Sequence, residues 1–261
     1  ANSTAEVAGP GAAGALIRAL GAPVALVADA VLLAVSALIL RGIRVVEPLA
    51  ATPAGFAESL ATGLRFVAGT RLLVVMALCV GIWQMSHHAA LVVQILHATR
   101  TLGLDGGTVG LAYVALGCGT VLTALFGSRL VRRIGPGPGL VAGFATCGTG
   151  WLLAAVAPPG TAGLAAFVAM LTLFGAGGSL VFINFLALRQ SVTPAPLLGR
   201  MTSTMRWLIL LPAGPGALAG GYIGEHLGLR ATLAVAGLST LAMAALAWRA
   251  PLLRELRTLP K

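Results

Sequence analysis

The feature that most constrains this chain is a succession of long apolar runs, parted by short segments that hold most of its charge. The runs cover residues 5–20, 22–40, 72–97, 108–130, 140–157, 162–188, 201–224 and 231–248. A helix crosses the hydrocarbon core of a bilayer in about 20 residues. All the runs but the first reach roughly that length, and they are continuous rather than alternating, which implies helices and not barrel strands. Only 9% of residues are charged and 58% are hydrophobic, whereas a soluble domain carries about 25% charged residues. A large soluble domain and a pair of smaller ones are therefore both excluded. The 35 glycines fit the same class, because small residues let membrane helices approach closely. The expected fold is an all-α integral membrane bundle of about eight transmembrane helices.

The net charge of +10 points to nucleic acid in a soluble protein, but here the basic residues cluster between the apolar runs and are not interleaved with aromatics. With alternating loops, 14 of the 17 basic residues fall on one side, leaving Arg18, Arg100 and Arg230 on the other. Cytoplasmic loops carry the excess of Lys and Arg, so the chain is predicted to end in the cytoplasm, as a multi-pass protein of the cell membrane. Within residues 53–70, Phe56, Leu60, Leu64 and Val67 recur at helical spacing with Glu58, Thr62 and Arg65 opposite. That pattern predicts an amphipathic helix on the cytoplasmic interface. Cys79, Cys118 and Cys147 all fall in apolar runs and read as small hydrophobes.

The motif Ala8-Gly9-Pro10-Gly11-Ala12 returns as Ala213-Gly214-Pro215-Gly216-Ala217, 205 residues further on. Repeats in this order suggest two homologous bundles of a transporter. If each bundle has six helices, the short first run is the fifth helix of the first bundle. Residues 1–41 are then the last two helices of that bundle, cut short. Residues 42–71 are a cytoplasmic linker, and residues 72–261 are a second six-helix bundle with a short basic tail. The expected chain is the C-terminal two-thirds of a carrier whose N-terminal helices are missing.

Four stretches resemble the major facilitator superfamily, and more narrowly its drug–proton antiporter branch, which includes macrolide efflux and enterobactin export proteins. Gly9-Pro10-Gly11-Ala12-Ala13-Gly14 is similar to the antiporter signature of the fifth helix, with Ala13 in place of a glycine. The segment from Gly127 through Arg132 and Arg133 to Gly135 resembles the loop signature between helices eight and nine, without its usual Asp. Leu188-Arg189-Gln190 through to Leu198-Gly199-Arg200-Met201 looks like the loop between helices ten and eleven, and Gly220 to Arg230 like the exit of helix eleven. The resemblance implies a major-facilitator-type bundle equivalent to helices 5–12 of 12. It also implies export of a small molecule against protons.

A proline removes a helix hydrogen bond, and flanking glycines permit a bend and close packing. Gly9, Pro10, Gly14, Gly214 and Pro215 are therefore candidates for a kinked, leak-limiting interface between bundles; static packing is the alternative. An ionisable group inside a bilayer costs about 2.5–3.5 kcal/mol on insertion scales, which makes it a functional candidate. Asp29 lies in the second run and Glu6 one turn before Gly9-Pro10. Proton binding and helix-packing hydrogen bonds are both open to them. His87 and His88, with Gln84 one turn earlier, lie near the middle of the third run. Neighbours on a helix point about 100° apart, so at most one of the two histidines faces a cavity. A histidine there can shuttle protons or sit neutral between helices. Arg189 reads as an anchor at the basic end of its span.

No metal-ligand spacing, catalytic constellation or nucleotide-binding loop is present in the sequence, and no cofactor is expected. Gly175-Ala176-Gly177-Gly178 lies in a span, where close packing explains it. The leading expectation is a non-enzymatic carrier that exports a hydrophobic or amphipathic small molecule by proton antiport. Its partners are substrate, protons and bilayer. A transport-incompetent membrane scaffold is the alternative.

Overall fold

The computed structural model describes residues 22–42 and 55–258, and every regular element among them is helical. The helices are α1 (Ala22–Arg41), α2 (Phe56–Gly69), α3 (Arg71–Leu96), α4 (Gly106–Ala112), α5 (Val114–Ile134) and α6 (Pro136–Val156). They continue with α7 (Thr161–Ser191), α8 (Leu198–Leu210), α9 (Ala213–His226), α10 (Leu229–Arg249) and the single turn α11 (Pro251–Arg254). A π-helical stretch, His97–Thr101, prolongs α3, and a 3-10 turn, Ala195–Leu197, leads into α8. The run at residues 5–20 lies outside the described residues, and so do Glu6, Gly9, Pro10 and Gly14. The second expected run is α1; the side chain of Asp29 is likewise outside the described residues.

Six stretches among the described residues are long and apolar enough to cross a membrane: Arg71–Thr101, Gly106–Ile134, Pro136–Val156, Thr161–Ser191, Ala195–His226 and Leu229–Arg249. Each matches one of the six later runs, but the helices outlast the runs. Arg132 and Arg133 close the last turn of α5, where basic side chains meet the negative end of the helix dipole. Gly127, Arg132 and Arg133 are thus helical and not loop residues, a correction to the expected signature loop. The chain turns only at Gly135, at φ +96°, a conformation that side chains with a Cβ rarely adopt. Its neighbours reinforce the choice, because the backbone of Leu256 and Arg257 occupies the place of a Cβ.

Two of the spans are built in two pieces. The second breaks at Tyr113, between α4 and α5, and the fifth at Leu211 and Pro212, between α8 and α9. Pro212 has no N–H for the helix ladder, so the break falls there. Gly214 and Pro215 lie in the first turn of α9, just after the break at which a bend was expected of them.

The pairing of spans is regular. The first span packs on the fifth (α3 on α9), and the fourth packs on the second (α7 on α5). Similarly, the third lies on the fourth (α6 on α7) and the sixth on the first (α10 on α3), while the third and sixth also meet each other (α6 on α10). Exchanging spans one to three with spans four to six leaves this scheme unchanged, as nested three-helix repeats require. Trp151, Phe144, Phe167, Leu73, Met76 and Leu140 are fully buried within it. The helix α2 forms where expected and packs on α8, but of the expected apolar face Val67 is buried whereas Leu60 and Leu64 are exposed. Gly63 abuts the Arg200 backbone and the Thr204 side chain, and Val67 is buried.

Candidate transport site

His87 stands sixteen residues from the start of its span and fourteen from the end, so it lies near mid-depth. Around it three spans deliver flat rings. Its imidazole stacks on Phe174 of α7 at 4.5 Å and 17° between planes, and on Trp151 of α6 at 6.2 Å and 19°. Trp83, one turn earlier on α3, stacks at 5.9 Å on His87 and at 6.1 Å on Phe174, and Phe144 tilts against it at 6.2 Å. These separations suit offset stacking, in which aromatic pairs gain about 0.5–1.5 kcal/mol beyond burial. The Trp83 indole Nε1 is buried with no hydrogen-bond partner among the described residues.

His88 has a different setting. Its Nδ1 lies 2.9 Å from the backbone carbonyl of Gln84, and a carbonyl can only accept, so Nδ1 carries the proton. Its ring meets His87 edge-on at 5.1 Å. Of the two histidines only His87 enters the stack, the divergence that helical geometry demands. The Gln84 side chain is half-buried.

The spans that hold these rings are locked by glycine. Gly216 and Gly220 of α9, one turn apart, leave room for the backbones of Met85 and Ala89 on α3, where a Cβ would collide. On the equivalent pair of the other three-helix repeat, Gly119 of α5 admits Thr172 and Ala176, and Gly175 of α7 admits Leu116. Gly214, by contrast, has open space where its Cβ would be, and Pro215 is exposed. Among the described residues the close contact on this helix belongs to Gly216 and Gly220, and their four-residue spacing was the signal.

At the end of the bundle away from the basic clusters, polar ties hold the helix ends. Gln94 donates to the Tyr113 hydroxyl at 2.8 Å, His97 Nε2 lies 3.0 Å from the Ala154 carbonyl, and Arg230 donates to the Ala157 carbonyl at 2.7 Å. Arg230 thereby satisfies a carbonyl left open at the end of α6, and His97 adds a second partner to the Ala154 carbonyl. At the basic end, the Arg189 guanidinium lies 5.2 Å from the Phe185 ring, within cation–π range. Arg200 is half-buried near α2, whereas Arg132 and Arg133 are exposed. Cys79 and Cys147 are buried, but Cys118 is exposed on α5. Trp83, Trp151, Phe174 and His97 were missed by sequence reasoning. The Trp83–His87 spacing of one helical turn was the available hint.

Six membrane-length helices among the described residues make this a multi-pass membrane protein. A family profile described as Major Facilitator Superfamily matches residues 76–260, well over half of the chain. The chain belongs to the major facilitator superfamily and is built as a transporter of that family. No curated protein and no solved structure matches it.

Proposed function

We propose that the protein exports a hydrophobic or amphipathic small molecule in exchange for protons, by alternating access, as in the drug–proton antiporter branch. In this reading residues 72–261 are the C-terminal bundle of a twelve-helix carrier, residues 42–71 the linker and residues 1–41 the end of the first bundle. The carrier sits in the cell membrane with its C-terminus in the cytoplasm.

The observation that supports it best is the ring nest around His87, set at mid-depth and shared by three spans. Flat π-faces receive flat apolar groups and organic cations. An imidazolium in the same nest would repel a cationic substrate strongly, because charges interact more strongly in low dielectric. Proton and substrate would then occupy the nest in turn, which is the condition for antiport. Within the six described spans Glu225 is the one carboxylate, and it lies next to the end of α9. His87 is therefore better placed at mid-depth than any described acid. Asp29 and Glu6 remain candidate proton carriers in the first bundle, with Gln84 and His88 beside the nest.

The test is export of a fluorescent lipophilic amine from proteoliposomes under an imposed pH gradient. Export should cease when the gradient is collapsed. His87→Asn should abolish the gradient dependence and Asp29→Asn should reduce it. Gradient-driven export unchanged in His87→Asn would remove His87 from the coupling. Absence of export for any amine tested would favour the scaffold alternative.

A further inference from the structure

The basic end of the bundle contains a cavity of about 620 Å³ that is remote from the ring nest. Its walls come from separate stretches of chain. Arg133 belongs to the last turn of α5, Pro138 to the first turn of α6 and Trp248 to the end of α10; Arg254, Glu255 and Arg257 follow in and after α11. The wall after α10 is held in place. Leu253 is fully buried, and the Gly137 N–H donates to the Leu256 carbonyl at 3.1 Å. The backbone at Arg257 fits into the space left by the missing side chain of Gly135.

Three guanidinium groups share this cavity with one carboxylate. Glu255 lies 3.4 Å from Arg254, and both side chains are more than half exposed, so the pair is weak and neutralises little. A surplus of positive charge remains without a protein counter-charge among the described residues. The start of α6 adds the positive end of a 21-residue helix. Guanidinium forks suit the oxygens of a phosphate. Trp248 is the next-to-last residue of the last span, the level at which indoles meet lipid headgroups. Basic pockets at the ends of membrane helices hold anionic headgroups by this combination of charge and depth.

We propose that this cavity binds a phosphate-bearing anion, and that the membrane supplies it as the headgroup of an anionic phospholipid. Arg133 and Arg257 hold the phosphate from opposite walls, and Trp248 and Pro138 pack beside the glycerol and first acyl carbons. A bound lipid thus clips the turn at Gly135 to the chain after α10.

The test uses the purified full chain in a zwitterionic detergent, followed by thermal unfolding during titration with dioleoylphosphatidylglycerol, dioleoylphosphatidylcholine or inorganic phosphate. The anionic lipid is expected to raise the melting temperature saturably, the zwitterionic lipid and free phosphate far less. Arg133→Gln combined with Arg257→Gln should weaken the apparent affinity roughly thirtyfold. Removing the same charge elsewhere, by Arg65→Gln with Arg206→Gln, should leave it nearly unchanged. If the double variant does not fold, the single variants carry the comparison, each expected to lose roughly fivefold. A response to inorganic phosphate equal to that of the lipid would overturn the lipid as source. Equal responses to both lipids, or equal losses in the two double variants, would overturn the site.

Discussion

Two of the glycine seams in the transport bundle hold equivalent places in its topology but differ in chemistry. In one, Gly119 and Gly175 bring α5 and α7 into backbone contact. In the other, Gly216 and Gly220 do the same for α9 and α3. The first seam is also tied across, because the Thr123 hydroxyl donates to the Ala176 carbonyl at 2.9 Å. The second has no side-chain hydrogen bond across it among the described residues, and one turn before Gly216 its helix is interrupted at Pro212. The span of the first seam is itself interrupted, at Tyr113, so the tie is what suits it to a fixed wall. An untied seam beside a proline break suits a wall that slides. The same fold thus contains one tied and one untied glycine contact.

The largest effects should come from filling the seams. Gly119→Val places methyl groups against the Thr172 carbonyl, with the neighbouring turn pinned by Thr123. Overpacking of a rigid site costs about 3 kcal/mol, and this variant should melt early or fail to insert. Gly216→Val meets the Met85 backbone equally closely, but α9 can yield at Pro212, and a loss of about 1 kcal/mol is expected. Thermal unfolding of the two purified variants decides the matter. Equal losses would erase the distinction between the seams.

Pro212→Ala attacks the comparison from the other side. Restoring an N–H at this position lets α8 and α9 join into one helix. Stability should hold or rise, while export under a pH gradient should fall severalfold, because the untied seam has been stiffened. Export undiminished in a variant of unchanged stability would show that the break at Pro212 is only a packing feature.

The difference between the seams also marks how far the sequence could be read. Six spans were legible because charge is expelled from a bilayer, so long apolar runs stand apart from the segments that hold most of the basic residues from residue 72 onward. Helix ends were less legible. Arg129, Arg132 and Arg133 resemble a loop by composition, yet the backbone ladder of α5 continues beneath them to Ile134, and arginine side chains are long enough to reach water from a helical turn. The repeated Gly-Pro motif marks Gly214 and Pro215 in the sequence, because a proline removes a helix hydrogen bond. The close contact belongs to Gly216 and Gly220, whose role depends on which helix lies opposite. The His87 nest was only half legible. Its position at mid-depth follows from counting along one run, but Trp151 and Phe174 come from two other spans, and no local pattern links them to His87.

Removing the tie gives a smaller effect. Thr123→Val keeps the shape of the side chain and deletes the hydrogen bond to Ala176. Interhelical hydrogen bonds in membrane proteins average about 0.6 kcal/mol, so a loss of that order is expected in thermal or denaturant unfolding. If Thr123→Val is neutral while Gly119→Val remains severe, close packing alone makes the first seam stiff.

The smallest effect concerns how the equivalent spans of the two repeats begin. The second span opens at Asp105, whose carboxylate accepts from the Gly107 and Thr108 N–H groups at 2.9 and 3.1 Å and from the Thr108 hydroxyl. The fifth span begins without a side-chain cap. The Thr108 hydroxyl and the N–H groups hold the Asp105 carboxyl below its usual range. A carboxylate lowered in the folded state adds stability above its unfolded value, and that contribution is lost as pH falls through the folded one. Asp105→Ala should therefore lower the melting temperature slightly at neutral pH. The gap to the wild type should narrow only below about pH 4, where an unperturbed Asp titrates. A gap that stays constant well below that pH would mean that the side chain matters through its shape and not its charge, and the capped and uncapped spans would then differ less than their geometry implies.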